Sequence, residues 1–521
     1  MSDVTFSCTS CGQPISAEAK YVGCQVICPG CSVAVVVPAT GPATPASPAP
    51  VAASSGGGGM SATAIALSIL GTAVLVGGGV GAILALKKGD SDGEKPDIPN
   101  EVAVSPRVNS TPSPAVGSTS KPSGGFALNS SNPWPQFRGP KRDNKSSETG
   151  LLKQWPSNGP KLLWKATGFG KGYSSVAVAG GLVITMGDSG GGSLVHAVEE
   201  ATGERVWASS RVGDKGGNYD GTKSTPAIDL ANRRVFALGQ FGDLVCLNLE
   251  NGEEIWRQSL TSDLGGKFSQ WNYAESPLLD GDRLIVTPGG RQGAVAALNA
   301  TDGSTVWRSR QFTDGAQYVS AIPSPLPGRK HYIQLTDRTL VGLDAENGNL
   351  VWRIPRSGKT AVIPTPVVYN NIVFVTSGYG VGSHAFQINS AGGRLTTRRL
   401  YETKDLINHH GGIVLVDKYV YGHSDRRDWK CIDITNGREM WQNRGVGKGS
   451  LTYADGHLIT RSEKGSGTVA LIEATPGGYR EKGRFNPPDR SRQNSWAHPV
   501  VANGKLFLRD QDVLLCYDLK G

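Results

Sequence analysis

The chain has 521 residues, including 70 glycines, 31 prolines and 11 tryptophans, and its formal net charge is +9. Glycine costs about 1 kcal/mol per helical position relative to alanine, so this glycine content disfavours a helical protein. The tryptophans argue against wholesale disorder, because disordered segments are poor in aromatic residues. The composition therefore predicts an all-β fold with many tight turns. No run of Lys or Arg exceeds a pair, so we expect no nucleic-acid partner.

The first part of the chain carries a cluster of cysteines, five of the eight, within its first 31 residues. Two Cys-x-x-Cys pairs have the spacing of a four-thiolate metal site, and they resemble a zinc ribbon of the rubredoxin-like type. A domain over residues 1–38 is too small to fold on its apolar core alone, so a structural Zn²⁺ would supply its folding free energy. Cys24 is a spare thiol that could replace Cys28. The predicted ligands are Cys8, Cys11, Cys28 and Cys31.

Residues 62–86 contain no charged side chain. The segment is longer than the roughly 20 residues that a helix needs to cross a bilayer. It begins too late and is too long for a signal peptide, so we predict a retained transmembrane helix over residues 61–87. A Pro/Ala/Gly linker over residues 39–60 precedes this helix, and a second linker, expected to be disordered, follows it over residues 88–132.

From residue 133 onward the chain repeats one unit: an apolar strand, an Asp- or Asn-like residue, a turn ending in Gly, and a second strand ending in Trp. A period of about 45 residues with several short strands per unit is typical of a β-propeller. The turn glycine supplies the positive φ that the hairpin needs, and the Trp packs between neighbouring sheets. The clear copies are residues 196–207, 245–256, 296–307, 341–352 and 430–441, and the degenerate ones are 385–398 and 470–485.

The two ends of this region complete each other. Residues 513–521 have the first half of a repeat, and residues 159–164 supply a Trp strand that has no preceding partner. Joining them closes the ring without a free edge. We therefore predict an all-β, eight-bladed propeller over residues 133–521. Its Trp strands are expected near residues 164, 207, 256, 307, 352, 397, 441 and 484.

Three cysteines outside the N-terminal cluster share one place in the repeat, two residues before its Asp or Asn. Ala297 and Gly342 occupy this place in other copies, which indicates a small buried position that suits a free Cys. The three cysteines would lie in the second, sixth and eighth blades, which are not neighbours, so we predict no disulfide in the propeller. They are Cys246, Cys431 and Cys516.

The copies ALNATDGSTVW and CIDITNGREMW resemble the repeat of the PQQ-binding-like, or quinoprotein alcohol dehydrogenase-like, β-propeller family. The resemblance covers residues 133–521, and residues 132–156 look like the lead-in of planctomycete-type members. In the dehydrogenases of this family PQQ and Ca²⁺ lie on the propeller axis, beside an Asp base and a vicinal Cys-Cys disulfide. This sequence departs from them, because it has no Cys-Cys pair. Other members bind no quinone, including the scaffold of outer-membrane barrel assembly, which presents its propeller to partner proteins.

Several aromatic, amide, imidazole and acidic residues interrupt the repeat where one blade passes to the next. We expect several of them to converge on one propeller face near the axis, where they would suit a polar ligand or a peptide segment. Loop and core residues particular to each blade would give the same pattern. Metal binding by His409 and His410 is less favoured, and we predict no catalytic residue. The candidate ligand-binding residues are Tyr173, Trp271, Asn272, Tyr318, His409, His410, Asp425, Trp496 and His498.

The sequence favours a membrane-anchored binding scaffold that is not an enzyme and that engages a protein or polar ligand, with structural Zn²⁺ as its cofactor. The alternative is a PQQ-dependent dehydrogenase of alcohols or sugars, although PQQ and Ca²⁺ are not favoured. A regulatory protein whose ribbon contacts a cytoplasmic partner is a third possibility. Zinc thiolates favour a reducing compartment, so we expect a single span in the cell inner membrane with a periplasmic propeller. Lys87 and Lys88, directly after the helix, argue for the opposite orientation.

Overall fold

The computed structural model of the protein describes residues 3–8, 14–18, 22, 25–27, 34–36, 38 and 131–521, without residues 218, 220, 325, 327–329 and 393. The chain divides into two compact units, Met1–Val104 and Ser105–Gly521. Every regular element within the described residues is a β-strand. No helix in this described part of the chain is long and apolar enough to cross a membrane. The predicted helix and the first linker fall outside the described residues, as does the second linker up to residue 130.

The first unit contains two β-hairpins. Asp3–Ser7 pairs with Pro14–Glu18, and Gln25–Ile27 pairs with Ala34–Val36. Each Cys-x-x-Cys pair falls in the segment that joins the two strands of one hairpin. Cys8 is buried. The other predicted zinc ligands, Cys11, Cys28 and Cys31, lie outside the described residues, so the zinc ribbon stays a prediction.

The second unit is a ring of eight antiparallel sheets, which confirms the predicted all-β, eight-bladed propeller. Blade 1 contains Ala177–Ala179, Leu182–Ser189, Gly192–Glu199 and Arg205–Ala208. Blade 2 contains Ala227–Asp229, Arg234–Leu238, Asp243–Asn248 and Glu254–Ser259. Blade 3 contains Leu278–Asp280, Arg283–Val286, Ala296–Asn299 and Thr305–Arg308. Blade 4 contains Ile322–Ser324, His331–Leu335, Thr339–Asp344 and Leu350–Pro355.

The remaining blades complete the ring. Blade 5 contains Val367–Tyr369, Ile372–Ser377, Gly382–Ala391 and Arg394–Thr403. Blade 6 contains Ile413–Val416, Tyr419–Ser424, Asp428–Asp433 and Glu439–Asn443. Blade 7 contains Gly449–Ala454, His457–Ser462, Val469–Glu473 and Glu481–Phe485. Blade 8 contains Val500–Ala502, Lys505–Asp510, Val513–Asp518 and, from the other end of the region, Leu162–Ala166, as predicted.

The repeat tryptophan joins five of the blades to the next one through its indole nitrogen, whereas the indole nitrogen of Trp352 in blade 4 is buried without a hydrogen-bond partner among the described residues. The Trp164 indole Nε1 of blade 8 donates to the Glu200 carbonyl of blade 1 at 3.0 Å. The ring also covers Gly203, which has φ +76° and whose added Cβ would stand 2.6 Å from the indole. Only glycine accepts both constraints easily. The same indole-to-carbonyl bond recurs from Trp207, Trp256, Trp307 and Trp441.

Two blades reach the same packing with other residues. In blade 5 the ring is Tyr401, whose hydroxyl donates to the Ile434 carbonyl of blade 6 at 2.7 Å. The strand expected near residue 397 is Arg394–Thr403, and its ring lies toward the end of the strand because the outer hairpin of blade 5 has strands of 10 residues. In blade 7 the paired position is Gly483, and the buried Trp155 packs against it from the preceding segment.

The predicted positions of the three propeller cysteines are confirmed. Each is fully buried and pairs across the sheet with the Trp of its own blade. They lie in blades 2, 6 and 8, and none forms a disulfide. Burial raises the pKa of each thiol to about 12. The three residues are Cys246, Cys431 and Cys516.

Residues 132–148, which we name the axial strap, run across the first strands of the blades. These first strands line the axis, since those of neighbouring blades contact one another. The strap pairs with Val178 of blade 1 through Trp134, and its Lys145–Ser146 segment pairs in parallel with the first strand of blade 7. Its Glu148 carboxylate accepts from the Gly504 amide of blade 8 at 2.9 Å. The strap therefore connects blades that are far apart in sequence.

Candidate functional site

The candidate residues all lie on one face of the propeller, which we name the upper face. All but Asp425 come shortly before a first strand, and Asp425 directly follows the second strand of blade 6. Because the first and second strands are antiparallel, the start of one and the end of the other meet at the same face. The candidate residues therefore share this face, and their role in ligand binding stays a prediction.

A collar of small hydroxyl residues fixes the starts of the first strands on this face. The Ser175 amide donates to the Thr225 hydroxyl of blade 2 at 3.0 Å. The Thr225 amide donates to Ser276 of blade 3 at 2.9 Å, and the Ser276 amide donates to Ser320 of blade 4 at 2.9 Å. Each bond crosses from one blade to the next. The collar therefore holds the loops that carry the candidate residues at fixed distances from the axis.

Trp496 is the centre of an aromatic cluster at the junction of blades 6, 7, 8 and 1. The His410 ring stacks on it with a centroid distance of 4.1 Å, and Tyr173 packs against it at 4.6 Å. The exposed Tyr219 ring lies 5.1 Å away. The His409 ring lies 3.6 Å from that of His410. We name these five residues the Trp496 cluster.

A buried acid, Glu463 of blade 7, anchors this cluster from below. Its carboxylate accepts a hydrogen bond from the Trp496 indole at 3.1 Å and lies 3.8 Å from the His410 ring. Lys448 lies 3.9 Å from the same carboxylate, 2.9 Å from His409 Nδ1 and 3.2 Å from Asp425. Burial alone would raise the pKa of Glu463, but the neighbouring His410 and the Lys448 charge outweigh burial and lower that pKa.

The histidines of this face are neutral at physiological pH. Burial lowers the pKa of His409, and the neighbouring His410 and Lys448 lower it further. Burial also lowers the pKa of His410, although Glu463 opposes that effect. His498, whose Nε2 lies 3.3 Å from the His410 carbonyl, has its pKa lowered to about 4 by burial and by Arg138. Neutral rings stack on aromatic surfaces without the desolvation penalty of a charged imidazolium.

The other candidates form a separate group in blades 3 and 4. The Tyr318 hydroxyl accepts from the Trp271 amide at 3.1 Å, and the two rings lie 5.8 Å apart. Asn272 is buried, and its backbone adopts the left-handed conformation with φ +65°. Burial raises the pKa of Tyr318. These contacts shape the loop between blades 2 and 3.

Sequence reasoning missed Lys448, Glu463, Tyr219 and the half-buried Tyr379. Comparison of the repeats could have identified Glu463. This residue directly follows the second strand of blade 7, just as Asp425 directly follows the second strand of blade 6. Lys448 directly precedes the first strand of blade 7. Tyr379, whose ring lies 4.6 Å from that of His409, comes two residues after Ser377, the last residue of the second strand of blade 5. No spacing in the sequence identified Tyr219.

The family resemblance implies that PQQ and Ca²⁺ lie on the propeller axis, so the residues there must be suited to hold them. The axial strap brings the buried guanidiniums of Arg138 and Arg142 to the axis below the upper face. Ca²⁺ binds oxygen ligands, which these two positively charged groups do not supply. Within the part of the chain that the structure describes, no three His, Cys, Asp or Glu side chains are arranged to hold a metal ion. The propeller cysteines lie in separate blades, so none can form the vicinal disulfide. The described residues on the axis therefore offer neither an oxygen-rich ligand set for Ca²⁺ nor a vicinal disulfide.

Comparisons with known proteins agree with this fold. A family model described as outer membrane protein assembly factor BamB matches residues 191–443. The protein of that name from Shewanella oneidensis is 23% identical over 373 residues, which cover 67% of this chain and 86% of the relative. Its counterpart from Escherichia coli is 25% identical over 364 residues, covering 59% of this chain and 86% of the relative.

Two solved structures show the same architecture. BamB from Moraxella catarrhalis superposes with a TM-score of 0.51 and 16% identity, covering 69% of this chain and 99% of that one. Quinohemoprotein alcohol dehydrogenase from Comamonas testosteroni superposes with a TM-score of 0.54 and 11% identity, covering 76% of this chain and 81% of that one. At such identities the likeness shows the fold alone, and the same fold carries an assembly factor and a dehydrogenase.

Proposed function

Because this chain belongs to the PQQ-like β-propeller repeat family, whose fold serves both catalysis and assembly, we propose that its propeller is a binding scaffold without catalytic activity. It engages a partner protein through the Trp496 cluster on the upper face. The relatives from Shewanella oneidensis and Escherichia coli carry the name of an assembly factor, which supports a protein partner.

The observation that carries this proposal is the way the polar groups of the cluster are already paired. Glu463 is held by the Trp496 indole and by Lys448, and Lys448 also contacts Asp425 and His409. These polar groups are engaged with one another, so the aromatic rings are the part of the cluster that is left to contact a partner. The solvent-facing part of the cluster is aromatic, since Tyr219 is exposed and Trp496 is half-buried. Aromatic side chains are enriched at the centres of protein interfaces.

The enzymatic alternative is tested by reconstitution of the full chain in detergent with PQQ and Ca²⁺. We expect no dye reduction with alcohols or sugars above that of a Trp496→Ala control. Turnover that depends on both PQQ and Ca²⁺ would overturn the scaffold proposal and support the quinoprotein dehydrogenase.

The partner is tested by photo-crosslinking in the membranes of the native cell. A photo-reactive amino acid at position 219 or 379 samples the upper face, and one at position 255 samples the exposed outer strand of blade 2. We expect one protein, identified by mass spectrometry, to be crosslinked from positions 219 and 379 and not from position 255. Crosslinking to the same proteins from all three positions would contradict a specific site.

We also propose that residues 61–87 anchor the chain in the inner membrane, with a zinc ribbon in the cytoplasm and the propeller in the periplasm. The ribbon is supported by the place of both Cys-x-x-Cys pairs, each between the two strands of a hairpin. One equivalent of zinc per chain, lost in the Cys8→Ser/Cys31→Ser double variant, would support the ribbon. A reporter fused after residue 521 that is active only in the cytoplasm would contradict the orientation.

A further inference from the structure

The loops on the two faces of the propeller differ in charge. The upper-face loops run from each fourth strand to the next first strand and from each second strand to the third. They contain 18 Lys or Arg residues and 11 Asp or Glu residues, a formal net charge of +7. The loops of the opposite face, which we name the lower face, contain 6 Lys or Arg and 9 Asp or Glu, a net charge of −3. The upper face therefore attracts acidic ligands.

Two exposed cations directly follow the acids that anchor the Trp496 cluster. Arg426 follows Asp425 after the second strand of blade 6, and Lys464 follows Glu463 after the second strand of blade 7. Lys448 lies 3.2 Å from the first acid and 3.9 Å from the second, so the two loops are neighbours. Neither Arg426 nor Lys464 forms an ion pair with any residue that the structure describes.

A third exposed cation, Arg492, lies in the loop that leads into blade 8. The half-buried Arg490 fixes this part of the loop. Its Nη1 donates to the carbonyls on both sides of Arg492, those of Ser491 at 2.9 Å and Gln493 at 2.8 Å. Its Nη2 donates to the main-chain carbonyl of Glu463, which brings the loop against blade 7. Arg492 also has no carboxylate partner within the described part of the chain.

The acids near this part of the upper face are engaged within the protein. Lys448 contacts the two acids that anchor the cluster, and Asp489 pairs with Lys165 at 2.9 Å. The Asp512 carboxylate accepts from the amides of Gly168 at 3.0 Å and Gly170 at 2.7 Å. The carboxylates are therefore occupied by internal donors, while the three exposed cations are left facing solvent.

We propose that the segment of the partner protein that contacts the Trp496 cluster is acidic, an inference that rests on the proposed function. Its apolar or aromatic side chains pack on Tyr219 and Trp496. Its Asp and Glu side chains contact the cationic rim, which we define as Arg426, Lys464 and Arg492. Protein interfaces combine an aromatic centre with a polar rim in the same way. Rim charges accelerate the encounter and select the partner more than they add affinity.

The cationic rim suits separated carboxylates better than a continuous polyanion. Its three members come from three different loops, and the exposed Asp425 lies directly beside Arg426. A nucleic acid has one phosphate charge per nucleotide and would bring phosphates against this carboxylate. A surface that binds lipid buries its apolar side chains in the headgroup layer, whereas Trp496 is half-buried within the protein.

The experiment measures fluorescence anisotropy of two labelled 12-residue peptides with the full chain in detergent. One peptide consists of three Glu-Tyr-Asp-Ser units and the other of three Gln-Tyr-Asn-Ser units, so they share their aromatic residues and differ in charge. We expect the acidic peptide to bind at least about tenfold more tightly at low ionic strength. This preference should decrease as added salt screens the exposed charges.

Two triple variants with the same change in net charge separate the cationic rim from the charge of the whole protein. The upper-face variant is Arg426→Glu/Lys464→Glu/Arg492→Glu, and it is expected to lose the preference for the acidic peptide. The lower-face control replaces three exposed arginines of the lower-face loops and is expected to keep that preference. The control substitutions are Arg233→Glu, Arg438→Glu and Arg480→Glu.

Three outcomes would overturn the acidic partner. They are equal binding of the two peptides by the wild type, a preference retained by the upper-face variant, and a preference lost equally in the lower-face control. Tighter binding of a 12-nucleotide oligothymidylate or of phosphatidylglycerol vesicles than of the acidic peptide would also overturn it. The scaffold proposal is decided separately by crosslinking. Site-specific crosslinking from positions 219 and 379, together with equal binding of the two peptides, would retain the scaffold and reject only the acidic segment.

Discussion

The Glu463 carboxylate accepts a hydrogen bond from the Trp496 indole at 3.1 Å, and this bond joins the second strand of blade 7 to the loop that begins blade 8. The main chain reinforces it, because the Ser495 amide donates to the Glu463 carbonyl at 2.9 Å. A buried acid therefore determines where the central aromatic ring of the candidate site stands.

We expect Glu463→Gln to lower the free energy of unfolding by about 1–2 kcal/mol at pH 7, because Lys448 loses a buried charge partner while the amide oxygen still accepts from Trp496. The pKa of Glu463 is lowered in the folded protein, so its stabilisation is complete above its ordinary pKa and is lost as the pH falls through the folded value. Urea unfolding at pH 7 and at pH 3 checks this, and the two proteins should differ less at pH 3. A difference that grows on acidification would contradict the assignment.

The buried Glu275 has the opposite dependence. Burial raises its pKa to about 7, against an ordinary value of 4.5. The folded state therefore holds this proton more tightly than the unfolded state, and stability is lost as the pH rises from 4.5 through 7. We expect the wild type to lose up to about 3 kcal/mol relative to Glu275→Gln between pH 4 and pH 8. Parallel urea titrations at the two pH values measure this loss, and equal loss in both proteins would refute it.

Trp155 takes the place of the tryptophan that blade 7 lacks. It is 4% exposed, its ring packs edge-on against Phe485 at 5.5 Å, and its amide donates to the Lys482 carbonyl at 2.8 Å. We expect Trp155→Ala to cost about 3–5 kcal/mol, as other buried Trp-to-Ala changes do. The half-buried Trp271 is the control, and Trp271→Ala should cost clearly less in the same chemical denaturation series. Equal costs would mean that Trp155 does not fill a core position.

Two glycines with positive φ allow the cost of backbone strain to be measured apart from the cost of a steric clash with a repeat tryptophan. Gly203 and Gly281 have φ values of +76° and +64°, but an added Cβ meets Trp164 only at Gly203, and nothing lies within 4 Å of it at Gly281. We expect Gly281→Ala to cost about 1 kcal/mol from strain alone, and Gly203→Ala to cost at least about 2 kcal/mol more. Thermal unfolding of the two variants decides this, and similar Tm values would argue against the packing role.

The three propeller thiols are expected to be unreactive in the native state. Their pKa values are raised to about 12 by burial, so almost no thiolate forms at pH 8. Peptide mapping after iodoacetamide treatment should find Cys246, Cys431 and Cys516 unmodified in buffer and fully alkylated in urea without reductant. Modification of any of them in buffer would show that its blade opens readily.

The sequence by itself determined the architecture. The Gly-to-Trp period predicted the blade count and the closure by both ends, because the spacing of the turn glycine and the second strand is local and periodic. It also predicted a small buried position for Cys246, Cys431 and Cys516, and the structure shows that this position lies opposite the tryptophan of the blade. The same rule failed in blade 5, where a longer hairpin moved the ring to Tyr401.

Only the tertiary structure decided the site. Lys448, Glu463 and Trp496 come from two blades and meet through contacts that no spacing encodes, because the distance between neighbouring loops depends on how the sheets pack around the axis. The axial strap is the clearest case. Residues 132–148 carry no repeat, yet they bring Arg138 close to Gly412 and His498. The sequence around Gly412 and His498 does not indicate this proximity. Because the ring closes, its centre lies within reach of the axial strap, which precedes every complete blade in the sequence. The strap therefore determines which charges lie on the axis.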